Sequence, residues 1–251
     1  MISFNKDILS FEIQEFIKNN LSSNISDLIL KGIPFQETLT TEIINQIEAK
    51  NRSEKKLPTW FKTKNIYYPN KLNIEQTSSE VTAQFKSNLI SGDRLIDLTG
   101  GFGVDDFYFS KTFQNVTHCE INKELSEIVQ HNYKQLEVKN ITCYNYNGLD
   151  VLKDLNQTFD WIYVDPSRRH DSRGKVFLLN DCEPNIVENS ELLFNYSNHI
   201  LIKTSPLLDI SSGLKNYFKL NAFKKEKTEM DYMFWNKLSK KNRILKTTYL
   251  S

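Results

Sequence analysis

The chain has 251 residues, room for one full α/β core and a small additional domain. Its 39% hydrophobic and 25% charged residues exclude the compositions of disordered and membrane-embedded chains, no run approaches the roughly 18 apolar residues of a membrane span, and the first ten residues lack a secretory signal, so a cytoplasmic location is expected. The net charge of +1 hides an asymmetry, with 11 basic against 18 acidic residues over 91–209 and 10 against 3 over 210–251, so the basic end either meets a polyanion such as RNA or is simply a solvated lysine-rich segment.

The first 70 residues read as helical. Leu9, Ile13, Phe16 and Ile17 recur at helical spacing, and Ile43, Ile44 and Ile47 repeat the pattern. Gly32 with Pro34, and the polar stretch 52–58 that ends in proline, mark breaks. A helical domain is therefore expected over residues 1–74. Thr77-Ser78-Ser79-Glu80 matches a capping box, and Val81, Phe85 and Leu89 follow on one helical face. From Arg94 the texture changes to short apolar runs at 95–98, 116–119, 141–144, 161–164 and 200–202, separated by amphipathic stretches such as 123–136. Five strands with crossover helices imply an α/β fold, a doubly wound, mostly parallel sheet, over residues 75–218. Residues 219–251 form a basic tail.

In such sheets ligands bind beyond the carboxyl ends of the strands. After the first run stands Asp97-Leu98-Thr99-Gly100-Gly101-Phe102-Gly103, a turn whose glycines permit positive φ and close approach of a ligand, or merely a tight bend. A dinucleotide fingerprint would need glycine at position 106, where the chain has aspartate, and the acidic pair Asp105 and Asp106 would repel a pyrophosphate. A cationic ligand without phosphate, such as S-adenosylmethionine, is not opposed. Glu120, 19 residues after Gly101 at the end of the second run, is placed to take both ribose hydroxyls. Past the third run, Asn147 or Asp150 can bond an adenine, with Asn147 preferred. The fourth run ends in Asp165-Pro166-Ser167-Arg168-Arg169, where the Asp165 carboxylate and the Pro166 carbonyl offer two acceptors that suit an amine. By holding the amine hydrogens they would orient its lone pair toward a methyl donor.

This ordered set, Asp97 to Gly103, Glu120, and Asp165 to Arg168, resembles the class I S-adenosylmethionine-dependent methyltransferases over nearly half of the chain. More narrowly, Glu75 to Ala83, Asp165 to Arg169, Asp181-Cys182-Glu183-Pro184 and Ile202-Lys203-Thr204-Ser205-Pro206 resemble bacterial methyltransferases that carry a THUMP-like C-terminal domain. The resemblance implies a Rossmann-like domain and a cofactor site of Thr77, Asp97, Thr99, Gly101, Gly103, Glu120, Ile121, Asn147 and Asp165, with Thr77 over the methionine end. It implies an RNA substrate held by Ser167, Arg168, Arg169 and Arg173, and transfer at Asp165, Pro166 and Lys203. The family continues into further modules, whereas this chain ends at Ser251 with a last forty residues unlike that continuation: a short form, or a truncated or altered reading frame. Arg168 stands where amine-methylating enzymes usually carry an aromatic residue.

Other chemistries are open to the same residues. Uridine-5 methylation needs a cysteine nucleophile, and residues 203–206 offer none, leaving Cys182 as the nearest in sequence. Ribose 2′-hydroxyl methylation would use Lys203 as a base of lowered pKa beside Asp165, unless the two merely pair. The cluster Arg168, Arg169, His170, Arg173 and Lys175 either contacts phosphate or is a solvated loop offset by Asp171. Cys119, Cys143 and Cys182 have no C-x-x-C spacing, and His118, His131 and His199 are scattered, so no metal is expected. A non-catalytic RNA-binding or cofactor-sensing protein is the alternative from another class. The oligomeric state is not legible.

Overall fold

The computed structural model describes residues 4–168, 182–204, 219–222, 234–239 and 244–249, with side chains over 4–167 and 182–203. A short 3-10 turn, Lys6–Leu9, precedes α1 (Phe11–Asn19), α2 (Ile25–Lys31), α3 (Glu37–Lys56), α4 (Pro58–Lys62), α5 (Lys71–Gln76) and α6 (Glu80–Ser87). The periodic residues do what their spacing asks: Ile13, Ile17, Ile43 and Ile47 are buried. Gly32 ends α2 with φ of 80°, a left-handed geometry that favours glycine.

Two local expectations are corrected. The polar stretch from Arg52 is not a break, because α3 runs through it to Lys56 and Pro58 opens α4 at its first turn, where a missing N–H costs nothing. Its charged residues are good helix formers with work to do: Lys56 Nζ donates to the carbonyls of Ile74 and Glu75, and Arg52 pairs with the Glu75 carboxylate. The capping box is also not formed. Thr77 is the C-cap of α5, so Ser79 caps α6 by accepting from Thr82 N at 3.2 Å, while Glu80 turns away to Thr59 and Tyr108. The inward face of α6 carries Ala83, Lys86 and Ser87; Val81 and Leu89 point outward.

The sheet follows: β1 (Gly92–Asp97), α7 (Val104–Phe109), β2 (Phe113–Cys119), α8 (Lys123–Gln135), β3 (Ile141–Tyr144), α9 (Gly148–Leu155), β4 (Trp161–Val164), the two-stranded ribbon β5 (Ser167–Arg168) and β6 (Cys182–Glu183), α10 (Ser190–Tyr196), and β7 (His199–Thr204). The five expected strands pair in parallel in the order β3-β2-β1-β4-β7. Beyond β7, the described backbone adds β8 (Lys219–Ala222), β9 (Phe234–Ser239) and β10 (Ile244–Tyr249) to the same sheet, β9 lying antiparallel to β7. Alternation along the strands feeds two cores. Ile96, Ile162, Val164 and Ile200 pack against Val151 of α9 and Leu193 of α10, whereas Leu95, Trp161, Tyr163 and Leu201 pack with Phe109 of α7 on the other face. The order reverses between β1 and β4, which places a crevice at their carboxyl ends. No helix among the described residues is long and apolar enough to cross a membrane.

Buried polar clamps fix the segment after α4, one to α8 of the sheet domain and one to α3 of the helical region. Asn132 of α8 takes both the N–H and the carbonyl of Tyr67, at 2.9 and 2.8 Å, and Gln46 of α3 does the same for Tyr68 at 2.9 and 2.6 Å. Near this seam, burial first, and then the charges of Glu124 on α8 and of Asp7, push the Glu42 carboxyl up to about 7, against a hydrogen bond with Asn5. A carboxyl whose folded pKa lies above its unfolded value of 4.5 contributes stability at low pH that is lost as pH rises toward 7. The wild-type melting temperature is therefore expected to fall more between pH 5 and pH 8 than that of Glu42→Gln, measured by calorimetry; parallel falls would show that this group does not set the dependence.

Candidate functional site

The turn after β1 is built by contacts that leave no room for side chains. Gly100 N donates to Cys119 O at 2.8 Å, which draws the turn onto β2, and a Cβ at Gly100 would lie 2.1 Å from the buried His118 ring. Gly101 and Gly103 adopt φ of 55° and 75°, and a Cβ at Gly103 would meet the Tyr133 hydroxyl at 2.2 Å. Tyr133 in turn donates to Gly103 O at 2.9 Å. Of the three turn glycines only Gly101 would take a Cβ without a clash, 3.8 Å from Thr99 O.

Thr99 ties the two central strands together. Its backbone N–H and its hydroxyl both donate to Asp97 Oδ1, at 2.7 and 3.1 Å, and the hydroxyl accepts from Asp165 N at 2.7 Å. At the end of β2, Glu120 accepts from Gly101 N through Oε2 at 3.0 Å and from Asn122 N through Oε1 at 2.7 Å, so its carboxylate is fixed against the glycine turn. Asn147 caps α9 by accepting from Leu149 N at 2.9 Å, which leaves its NH₂ group to face a ligand.

These residues surround one continuous crevice. A cleft of about 690 Å³ is lined by Thr77, Asp97, Thr99, Gly101, Glu120, Asp165, Pro166, Ser167 and Lys203, together with Asn73, Gln76, Ser78, Phe102, Asp105 and Tyr163. A lobe of about 290 Å³ adjoins it, sharing Thr99, Glu120, Asp165 and Ser167 and adding Ile121, Asn147, Leu149 and Pro184. Ile121 is 71% exposed there, an apolar side chain in want of a cover. Gly103, the N-cap of α7, does not line the cleft. Asp150 is on the exposed face of α9, paired with Lys153 at 3.2 Å. The Arg168 side chain, Arg169 and Arg173 lie outside the described residues.

The electrostatics divide the carboxyl groups into two sets. Asp97, 1% exposed, lies beneath the turn near Asp106, whose Oδ2 is 2.7 Å from His118 Nδ1. Burial, then the charge of Asp106 on Asp97 and of Asp105 on Asp106, pushes both carboxyls well above the ordinary range, while burial lowers His118. Asp105 faces the other way, to Lys86. Burial opposes its ionised form, but Lys86 and then Lys203 hold it below the ordinary carboxylate range. The acidic pair is thus not an exposed edge that repels phosphate; each member is turned inward to its own partners. Burial pushes the Lys86 ammonium down to about 8, with Asp105 pulling upward. At the tip of β7, Lys203 Nζ contacts Asp165 Oδ2 at 2.5 Å. Burial would lower Lys203, yet Asp165 and then Asp105 hold it above the ordinary lysine range.

Sequence reasoning overlooked Ser78, Lys86 and Tyr163. A lysine at the inward position of a short helix, four residues from a small Thr82-Ala83 pair, was the available sign; Tyr163 was hidden inside an apolar strand.

The sequence matches no protein-family model, and no curated protein is similar to it at a significant level. Solved structures do align. A protein of Porphyromonas gingivalis W83 described as a methyltransferase is 28% identical over 88% of this chain with a TM-score of 0.72, and the chain spans 56% of that protein's length. TrmK of M. capricolum in complex with S-adenosyl-homocysteine is 14% identical, covering 65% of this chain and 69% of its own, with a TM-score of 0.47. The fold is accordingly Rossmann-like α/β, of the kind found in methyltransferases. Both structures are what this chain is similar to in architecture.

The packing predicts different roles for two neighbouring glycines. Gly100→Ala overpacks against His118, at about 1–3 kcal/mol, and is expected to lower the melting temperature by several degrees more than Gly101→Ala, which meets only backbone strain. Equal losses in thermal melts would mean that both glycines serve backbone freedom alone.

Proposed function

We propose that the chain is an S-adenosylmethionine-dependent methyltransferase acting on a nitrogen of an RNA base, a cytoplasmic relative of the methyltransferases that carry a THUMP-like domain. Its parts are a helical domain over residues 1–74, a cofactor-binding domain over 75–218 and a basic segment over 219–251. The observation that carries this reading is the charge of the crevice. Of the carboxyl groups on the main cleft, Asp97 has its ionised form disfavoured by burial, Asp105 is paired with Lys86 and Asp165 with Lys203, which leaves the Glu120 carboxylate with no described cation beside it. A diphosphate finds no ammonium on the cleft, among the described residues, that is not already paired, whereas a ligand with a sulfonium, an ammonium and a ribose diol finds acceptors.

The residues present fit that cofactor. Glu120 would hold the ribose hydroxyls, Gly101 admits close approach of its backbone, and Ile121, Leu149 and Asn147 would flank the adenine, with Thr77 and Asn73 toward the methionine end. When bound, the cofactor supplies an activated methyl group. Asp165 and Pro166 would accept the hydrogens of the substrate amine and aim its lone pair, so the rate comes from alignment and from exclusion of water. Transfer is direct. Cys119 is buried with its thiol pushed up by burial, and Cys182 has no exposed surface, so neither suits a covalent nucleophile. A ribose 2′-hydroxyl acceptor is not favoured, because its base would be Lys203, and the Asp165 pair stabilises the charged form of that lysine. An RNA acceptor is supported by the basic residues from Arg168 to Lys175 in the sequence.

Calorimetry with S-adenosylmethionine is expected to show binding that weakens about tenfold or more in Glu120→Ala, as loss of bonds to a charged group requires. Asp165→Ala is expected to keep that binding and to lose transfer of labelled methyl to total RNA. Nucleoside mass spectrometry of rRNA and tRNA from cells with and without the gene would then name the product. Binding without labelling would favour a cofactor-sensing protein, and wild-type turnover by Asp165→Ala would defeat the mechanism.

A further inference from the structure

Two lysines and an aspartate converge on one serine. Ser78, 6% exposed, lies in the turn between α5 and α6. Its hydroxyl accepts from Lys86 Nζ at 2.8 Å and from Lys203 Nζ at 3.3 Å, and donates to Asp105 Oδ2 at 3.0 Å. That is the full capacity of a hydroxyl, one hydrogen given and two lone pairs filled. The arrangement is locked from behind. Lys86, with no exposed surface, pairs with Asp105 and contacts the Tyr163 hydroxyl at 3.2 Å, and that hydroxyl donates to Asp105 Oδ2 at 2.8 Å. In front, Lys203 spans from Ser78 to Asp165 Oδ2 at 2.5 Å. Asp165 is therefore held at its backbone N–H by Thr99 and at one carboxylate oxygen by Lys203; no described residue bonds its other oxygen.

A lysine side chain is long and loses much rotamer freedom when fixed. Lys203 also has a choice of partners, since Asp105 as well as Asp165 attracts it. We propose that Ser78 is a positioning residue: its hydroxyl steers the Lys203 ammonium onto Asp165 Oδ2, which fixes the carboxylate and leaves Oδ1 to the methyl acceptor. Ser78 then belongs to the transfer apparatus, whereas its neighbour Ser79 only caps α6. This inference rests on the methyltransferase reading of the same cleft.

A merely structural serine, pinning the turn to the sheet, would act through stability alone. The test uses the full chain, S-adenosylmethionine labelled on its methyl group and total RNA, with calorimetry for cofactor affinity. Ser78→Ala is expected to lower the rate at saturating cofactor by about tenfold or more while cofactor affinity stays within about threefold. Ser78→Thr, which keeps the hydroxyl, restores most of the rate. Lys203→Met is slower still, and the double variant is no slower than Lys203→Met alone, as residues acting in one chain must be. Ser79→Ala removes the cap of α6 in the same turn, lowers the melting temperature and leaves the rate at saturating cofactor unchanged. A wild-type rate in Ser78→Ala, or losses that multiply in the double variant, or a loss shared by Ser79→Ala, would overturn the positioning role alone. A wild-type chain that fails to bind the cofactor or to label RNA would overturn the proposed function, and this inference with it.

Discussion

Carboxyl groups gathered at the carboxyl edge of a sheet are costly to bury, and the site depends on how that cost is met. A buried charge is tolerated when it is paired and hydrogen-bonded, and removal of one partner leaves the other exposed to the full desolvation penalty. Here Lys86 comes from α6, Asp105 from α7, Tyr163 from β4 and Lys203 from β7, so the cluster can form only when all four elements are in register. Its charges are therefore a constraint on assembly as much as on chemistry. Helix α6 docks with its inward lysine on Asp105, and the Asn132 clamp of α8 holds the helical region to the rest.

That dependence explains what the sequence revealed and what it concealed. The five parallel strands were legible because their apolar runs are short, β-branched and separated by amphipathic stretches, a pattern whose period is a property of each segment alone. Glu120 and the glycine turn were legible for a related reason: their spacing follows from one β-α-β unit, and the Gly101 to Glu120 bond realises it. Where a local signal had two readings, tertiary context chose. Thr77 reads as a helix start yet finishes α5, since the Asn70-capped turn before it already claims its N–H for Asn73. Val81 and Leu89 read as a buried face yet point outward, because the helix is rotated to bring Lys86 onto Asp105. An ion pair that forms across 19 positions of sequence leaves no periodic trace. Asp105 and Asp106 looked like one acidic pair for the same reason: adjacent residues at a helix start point in different directions, and only the fold shows that one meets lysine and the other histidine.

The division of acids has a consequence for which ligands the crevice can accept. Asp97 and Asp106 sit under the turn with their ionised forms disfavoured, and Asp105 is offset by Lys86, so the groups left to face a ligand are Glu120 and Asp165. They stand on either side of β1, one at the tip of β2 and one just past β4. A ligand that satisfies both must span β1. On the proposed function its diol meets Glu120 and its reactive group is brought to a carboxylate already engaged by lysine. In the proposed reaction that carboxylate, held by the lysine through Oδ2, accepts hydrogens and aligns a nucleophile. Orientation is then the contribution left for Asp165 to make, and the precision of its anchoring, through Thr99 on one side and Ser78 with Lys203 on the other, is what the surrounding fold supplies.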